Sequence, residues 1–143
     1  MKSANFLTGI LVMVVFVGHL HISEALTDEE AEFVIQHAIV QCANLTKVNL
    51  QEAVHFLPIN TKLMDNFSHD MKCYLLCFYR KINLIDFKDH PKHDDFALFM
   101  ESRFEENKAK VQPALKKCLA IQHKDPCEEI YEFELCMVKN VQG

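Results

Sequence analysis

Glycine is scarce in this chain of 143 residues, which contains only Gly9, Gly18 and Gly143. Phosphate-binding loops, dinucleotide-binding turns, EF-hand calcium loops and nucleophile elbows all need glycine where the backbone turns tightly or approaches a ligand closely. Between Gly18 and the last residue there is no glycine, so none of these motifs can lie there. The shortage excludes most familiar enzyme templates, and we expect a protein that is not an enzyme.

The chain also has no excess of basic over acidic residues. The chain has 15 lysine and arginine residues against 20 aspartate and glutamate residues, for a formal net charge of −5. Nucleic-acid-binding domains normally show a basic patch, so we expect no nucleic-acid partner. A hydrophobic share of 50% is too high for a disordered chain, and the length fits one folded domain.

One unbroken hydrophobic run, residues 10–17, lies close to the start of the chain. Lys2 precedes it, and Ser23 and Ala25 follow it with the small side chains that a signal peptidase reads. A membrane-spanning helix would need about 20 apolar residues, so the pattern favours a secretory signal peptide. We therefore predict a signal peptide over residues 1–25, a single domain over residues 26–143, and a secreted, extracellular protein.

Apolar residues recur at helical spacing after residue 25, and alternating strand patterns are essentially absent. We predict an all-α fold with about six helices. The first runs over about residues 28–44 behind a capping box that begins at Thr27. The second runs over residues 50–57 and is stopped by Pro58.

Four further helices are predicted from their end signals. Ser68 is the N-cap of the third, and the polar segment 90–95 opens the fourth. The fifth begins at Pro113 or is kinked there, because proline lacks the N–H that a helix interior needs. The sixth has Pro126 in its first turn and reaches about residue 139.

All six cysteines lie after residue 25, and an even number in a small secreted chain indicates disulfides, here three. Cys73 and Cys77 are one helical turn apart, so their Cβ atoms are about 5–6 Å from each other, too far for a bond. Cys127 and Cys136 are separated by about 13.5 Å along a helix axis. Geometry excludes these two pairs and leaves several of the 15 possible pairings open.

The six cysteines are spaced as Cys42-x30-Cys73-x3-Cys77-x40-Cys118-x8-Cys127-x8-Cys136. This spacing resembles that of insect odorant-binding proteins, the family of pheromone- and general-odorant-binding proteins, and the x3 and x8 intervals are the most discriminating part. The resemblance implies about six helices around a hydrophobic cavity. It also implies three disulfides, which are Cys42–Cys77, Cys73–Cys127 and Cys118–Cys136. The implied function is that of a secreted carrier, which binds odorants or pheromones reversibly and delivers them to chemosensory receptors.

Phenylalanine and methionine are the main candidates for the cavity wall, because they contact an apolar guest without needing a polar partner. From their positions on helix faces, we predict that the ligand-binding residues are Phe67, Met71, Leu75, Phe96, Phe99, Met100, Leu115, Leu119, Ile130, Phe133 and Met137. Tyrosine hydroxyls are candidates for a hydrogen bond to an alcohol, aldehyde or ester, the three residues being Tyr74, Tyr79 and Tyr131. We expect no catalytic residue, cofactor or metal.

The resemblance leaves the partners and the setting partly open. The expected ligand is a small hydrophobic volatile or a lipid-like molecule, and a membrane olfactory receptor and a second copy of the chain are the further partners considered. A non-olfactory extracellular carrier of the same fold and a saposin-like lipid- or membrane-interacting protein are the alternatives. The tail after Cys136 is too short for the cavity-entering helix of some family members, and we expect it to fold against the cavity as a wall.

Overall fold

The computed structural model describes residues 28–54, 64–65 and 67–143. The chain divides into two units, residues 1–33 and 34–143, and the described residues of the first unit, 28–33, are helical. In the described part there is no strand, and its one β pairing is an isolated bridge between Ile85 and Pro91. The all-α prediction is confirmed. The predicted signal peptide, Thr27 and Pro58 lie outside the described residues.

Helix α1 spans Asp28–Thr46, close to its predicted bounds. It ends at Lys47, whose φ of 59° lies in the left-handed region, and the next N–H, of Val48, donates to the Ala43 carbonyl at 3.1 Å. Such an end normally uses glycine, which this part of the chain lacks. A non-glycine residue therefore takes the strained position.

Helix α2 spans only Leu50–Ala53. It begins as a capped turn, because the Asn49 side chain accepts a 2.8 Å hydrogen bond from the Gln51 N–H. The prediction of a helix over residues 50–57 is wrong in its length, since the helix ends at Ala53 with Val54 as its C-cap.

Helix α3 spans His69–Lys81 and begins as predicted, with the Ser68 hydroxyl accepting from the Met71 N–H at 3.2 Å. It ends through the same device as α1. Asn83 has a φ of 63°, and the Leu84 N–H donates to the Tyr79 carbonyl at 2.9 Å. Asparagine tolerates the left-handed region better than most residues, so the end of α3 replaces glycine at lower cost.

Helix α4 spans His93–Arg103, a 3₁₀ turn follows at Glu105–Asn107, and helix α5 spans Lys108–Cys118. Of the two expectations for Pro113, a helix start is wrong, because Pro113 lies inside α5. The 3₁₀ turn leads directly into α5 and starts the helix five residues earlier than the proline signal indicates. The low helix propensity of proline is outweighed here by the packing of α5. Its residues Val111, Ala114 and Leu115 are buried.

Helix α6 spans Pro126–Gln142, with the Asp125 side chain accepting from the Cys127 N–H at 2.8 Å. It is longer than predicted, since the tail continues the helix. Met137, Val138 and Val141 are fully buried. The tail is therefore part of the last core helix rather than a separate segment folded back as a wall.

The three disulfides join Cys42 to Cys77, Cys73 to Cys127, and Cys118 to Cys136. This is the pairing that the family resemblance implied. The first disulfide ties α1 to α3, the second α3 to α6, and the third α5 to α6. The same helices also pack: α3 and α5 lie against α6, and α4 lies against α5. Helix α6 thus takes part in two of the three disulfides and packs against both α3 and α5.

Candidate functional site

An apolar pocket opens between three segments of the second unit. Its floor is formed by Cys118 at the end of α5 and by Ile130 and Phe133 of α6, all of which are buried. Leu119 and Ile121, which follow α5, add half-buried apolar walls. The pocket is therefore apolar inside and is attached to the Cys118–Cys136 disulfide, which fixes α5 against α6.

The rim of the pocket is polar. Asp89, His90 and Pro91 border it from the loop between α3 and α4, while Gln122 and Glu129 border it from the opposite side. These residues are exposed or half-buried, in contrast to the floor. An apolar interior with a few polar groups at its mouth is the usual arrangement of a small-molecule site.

The pocket has a volume of about 130 Å³. An apolar cavity of about 150 Å³ is large enough to bind benzene. The pocket as it stands therefore fits a small ring or a short alkyl chain.

The loop that supplies one side of the rim is held by an internal network. The Asp86 side chain accepts from the backbone N–H groups of Lys88 and His90 at 2.7 and 3.0 Å. These hydrogen bonds, that from the His90 N–H first, hold the pKa of Asp86 below its usual range. Arg80 of α3 donates two 2.7 Å hydrogen bonds to Asp89, which has a φ of 67°. The rim residues are thus positioned by the loop itself before any ligand binds.

Of the predicted wall residues, the structure places Leu119, Ile130 and Phe133 around this pocket. The others belong to the hydrophobic core or pack against it. Met71, Leu75, Phe96, Met100, Leu115 and Met137 are buried, whereas Phe67 and Phe99 are half-buried at its edge. The assignment of all eleven residues to a ligand-binding wall stays a prediction.

Aromatic contacts connect the pocket floor to the interior of the second unit. The ring of Phe133 meets that of Phe96 edge-on, with centroids 5.0 Å apart, and Phe96 meets Tyr79 at 4.9 Å. Edge-to-face pairs of this kind add about 0.5–1.5 kcal/mol each beyond the apolar area they bury. The floor is therefore backed by a stiff aromatic layer.

Behind this layer lies a buried polar cluster of Tyr79, Arg103 and Glu134. Glu134 of α6 is 0% exposed, its Oε2 accepts a 2.8 Å hydrogen bond from the Tyr79 hydroxyl, and its Oε1 accepts from Arg103 Nη1. Burial, and then the charge of Glu134, raise the pKa of Tyr79 well above its usual range. The cluster joins α3, α4 and α6 through one carboxylate.

Sequence reasoning missed Glu134 and three residues of the polar rim, Asp89, Gln122 and Glu129. A signal for Glu134 exists, since it lies four residues after Ile130 and four before Val138 on the buried face of α6. The rim residues Asp89, Gln122 and Glu129 come from separate segments, and no sequence interval connects them.

The tyrosine hydroxyls that were candidates for ligand contact all donate within the protein. Besides the Tyr79–Glu134 bond, Tyr74 donates to the Ala53 carbonyl at 3.3 Å and Tyr131 to the Met64 carbonyl at 3.1 Å. Burial raises the pKa of Tyr74 above its usual range. Tyr79 thus ties α3 to α6, Tyr74 ties α3 to α2, and Tyr131 ties α6 to Met64, which are structural roles.

One set of potential metal-binding side chains occurs within the described part of the chain, namely His69, Cys73 and Cys127. Both sulfurs are consumed by the Cys73–Cys127 disulfide, so neither is the thiolate that a metal needs. His69 instead lies 3.6 Å from Glu128 and 3.8 Å from Asp125, at the point where α3 meets α6.

Six cysteines paired in this order on a helical core around an apolar pocket lead to a comparison with known families. The sequence model of the PBP/GOBP family matches residues 24–140. The chain belongs to the PBP/GOBP family. The resemblance found in the cysteine spacing is confirmed, and the chain is by family a small-ligand carrier rather than a member of an enzyme family.

A solved structure agrees with membership of the PBP/GOBP family. The fatty acid binding protein OBP56a from the oral disk of the blowfly Phormia regina is similar to this chain, with a TM-score of 0.59 and 26% sequence identity. The likeness covers 80% of this chain and 94% of the blowfly protein. No curated protein sequence matches the chain. Among residues 28–54, 64–65 and 67–143, no helix is both long and apolar enough to cross a membrane.

Proposed function

We propose that this protein is a secreted carrier, which takes up small hydrophobic odorants or pheromones in the pocket between α5 and α6 and delivers them to chemosensory receptors. The observation that carries the proposal is the apolar floor of Cys118, Ile130 and Phe133, buried behind a polar rim. The blowfly relative, a fatty acid binding protein, supports a hydrophobic ligand.

Binding is driven by the removal of apolar surface from water, at about 25 cal/mol per Å². No bond is made or broken, so the ligand leaves as it entered. The disulfide between Cys118 and Cys136 keeps α5 and α6 together and preserves the pocket when it is empty. A preformed pocket avoids the cost of ordering the protein at each binding event.

The absence of tryptophan from the chain allows a direct test of the binding site. The Ile121→Trp variant places a single fluorophore at the pocket wall, and the Leu98→Trp variant places one on the exposed face of α4, where Leu98 is 69% exposed. We expect 1-hexanol to shift the emission of the first variant saturably and to leave the second unchanged. Equal responses of both variants, or no binding of 1-hexanol to the unaltered protein in calorimetry, would overturn the proposal.

Secretion and delivery have their own tests. Mass spectrometry of the protein from its native tissue is expected to show a chain that begins at Leu26, together with its co-purified ligand. A chain that keeps residues 1–25 would contradict secretion through a cleaved signal. A co-purified ligand from a tissue without chemosensory neurons would favour the non-olfactory carrier over delivery to receptors.

A further inference from the structure

The charge around the pocket mouth is acidic. Two of the residues that line the pocket, Asp89 and Glu129, carry carboxylates, and no lysine or arginine lines it. The other polar side chains of the rim are those of His90 and Gln122. A ligand that buries its apolar part in the pocket therefore leaves its head group beside carboxylates.

The two carboxylates differ in how far their charge is compensated. Asp89 is paired with the Arg80 guanidinium through two 2.7 Å hydrogen bonds. Glu129 accepts a 2.8 Å hydrogen bond from the backbone N–H of His123. Within the described residues, no ion pair joins Glu129 to a cation.

The neighbouring acidic residues do not share the position of Glu129. Glu128 is turned away to α3, where its Oε2 accepts from Lys72 Nζ at 2.8 Å. Glu132, one turn later on α6, is exposed and does not line the pocket. Within the described part of the chain, Glu129 is therefore the one carboxylate bordering the mouth that has no ion-pair partner.

We propose that the pocket selects small amphiphiles whose head group donates hydrogen bonds, such as a primary amine or an alcohol, and discriminates against carboxylate anions. This inference rests on the proposed carrier function and assigns its ligand class. The Glu129 carboxylate can accept a hydrogen bond from a hydroxyl or ammonium head, whereas it repels a carboxylate head. The selection differs from what the name of the blowfly fatty acid binding protein would suggest.

The expected difference in affinity between ammonium and carboxylate head groups depends on the partial burial of the rim. Two unit charges 4 Å apart interact weakly in bulk water and about fourfold more strongly near a protein surface. A head group beside half-buried Glu129 lies between these limits. Alkylamines are protonated at neutral pH, as lysine is, so the amine benefits from charge as well as from hydrogen bonding.

The test compares three ligands of equal chain length: hexylamine, 1-hexanol and hexanoate. Their dissociation constants are measured at pH 7 by isothermal titration calorimetry with the unaltered protein. We expect hexylamine to bind at least about tenfold more tightly than hexanoate, with 1-hexanol between them. Equal or tighter binding of hexanoate, while 1-hexanol still binds, would overturn the inference and leave the carrier function standing. Failure of all three ligands would instead overturn the carrier function.

A pair of matched variants tests whether the selection against carboxylate ligands depends on Glu129. Glu129→Gln keeps the side-chain size and an oxygen that can accept from His123, and Glu132→Gln removes an equal charge from the exposed face of the same helix. By the same calorimetry, we expect Glu129→Gln, with no other substitution, to bring the hexylamine and hexanoate affinities to within about threefold of each other. Glu132→Gln is expected to change neither. Equal effects of the two substitutions would show that net charge alone acts, and would overturn the role of Glu129.

Discussion

The Tyr79 hydroxyl donates a 2.8 Å hydrogen bond to the carboxylate of Glu134, and both side chains are fully buried. Arg103, whose side chain is 9% exposed, donates to the other oxygen of the same carboxylate. A buried glutamate is stabilised only if its charge is paired and its oxygens accept hydrogen bonds. Tyr79 and Arg103 together meet both conditions.

Removal of the arginine is expected to cost far more than removal of the hydroxyl. Arg103→Met leaves the Glu134 charge buried without its cation, and breaking a buried ion pair in this way costs about 3–5 kcal/mol of unfolding free energy. Tyr79→Phe removes one hydrogen bond but leaves the ion pair, for about 1–2 kcal/mol. Urea denaturation followed by circular dichroism measures both values.

A surface ion pair provides the control. Lys108 Nζ lies 3.5 Å from Glu101 Oε2, and the Lys108 side chain is exposed. Lys108→Met removes a cation of similar length from an exposed position, and we expect a cost below about 1 kcal/mol. If Arg103→Met costs no more than Lys108→Met, the buried cluster does not hold α3, α4 and α6 together.

The raised pKa values of Tyr74 and Tyr79 predict a loss of stability in alkaline solution. Burial, which is the only cause for Tyr74 and the largest for Tyr79, keeps both hydroxyls protonated in the folded chain, while the unfolded chain releases these protons near the ordinary tyrosine pKa of about 10. The folded state thus binds more protons above that pH, so the unfolding free energy falls as the pH rises. Below that pH the two groups contribute no pH dependence.

Ultraviolet titration at 295 nm measures this behaviour directly. The chain has three tyrosines and no tryptophan, so the signal is simple. We expect Tyr74 and Tyr79 to ionise only when the protein unfolds, in a step that coincides with the loss of the circular dichroism signal. Tyr79→Phe is expected to reduce the amplitude of that step. Ionisation of all three tyrosines in the folded protein would contradict the prediction.

Much of the fold could be predicted because its signals are local. Ser68 and Asp125 cap their helices through hydrogen bonds to nearby N–H groups, and these depend on only a few residues of sequence. The disulfide pairing was accessible for another reason. The intervals between the cysteines of the chain match a family pattern, whereas helix geometry alone left several pairings open.

The candidate site could be predicted only in part, because it depends on contacts between distant segments. Ile130 and Phe133 line the pocket and were expected from their helix face, yet Met100 and Leu115 share the same pattern and lie in the core. Glu134 was missed because glutamate is seldom fully buried, and only its partner Arg103, from another helix, makes burial tolerable. A helix face shows that a residue is buried, but not whether its neighbour is protein or ligand.

The contact between α3 and α6 predicts a pH dependence of opposite sign in acid. The hydrogen bond from Lys72 holds the pKa of Glu128 below its usual range. A lowered pKa contributes stability above the ordinary glutamate value of about 4.3, and this stability is lost as the pH falls through the lower value in the folded chain. Because the pair is partly exposed, we expect Glu128→Gln to cost only about 0.5 kcal/mol at pH 7.

The difference between wild type and Glu128→Gln is expected to shrink as the pH falls below the ordinary glutamate value, since the wild-type carboxyl then takes up its proton in the folded chain as well. Urea midpoints measured from pH 7 to pH 3 follow this convergence. Glu132→Gln, on the exposed face of α6, is the control and should show little difference at any pH. A difference for Glu128→Gln that stays constant down to pH 3 would assign its effect to packing instead of charge.

Pro113 is expected to destabilise the helix that contains it. It lies inside α5 and is exposed, so the Ala109 carbonyl has no N–H from position 113 to accept. Pro113→Ala supplies that donor and a better helix former, although the unfolded chain gains about 0.4–1 kcal/mol of conformational freedom. We expect a net gain of about 1–2 kcal/mol, measured as a rise in Tm of about 5 °C or more.

Pro126 is the matched control, because it is the first residue of α6. An N–H at this position has no acceptor within the helix, so its absence costs no hydrogen bond. Pro126→Ala is expected to leave the Tm unchanged or to lower it slightly, since only the freedom of the unfolded chain increases. Calorimetry of both variants separates the two positions. If Pro113→Ala lowers the Tm, then the proline fits α5 without loss, and its restriction of the unfolded chain outweighs the missing hydrogen bond.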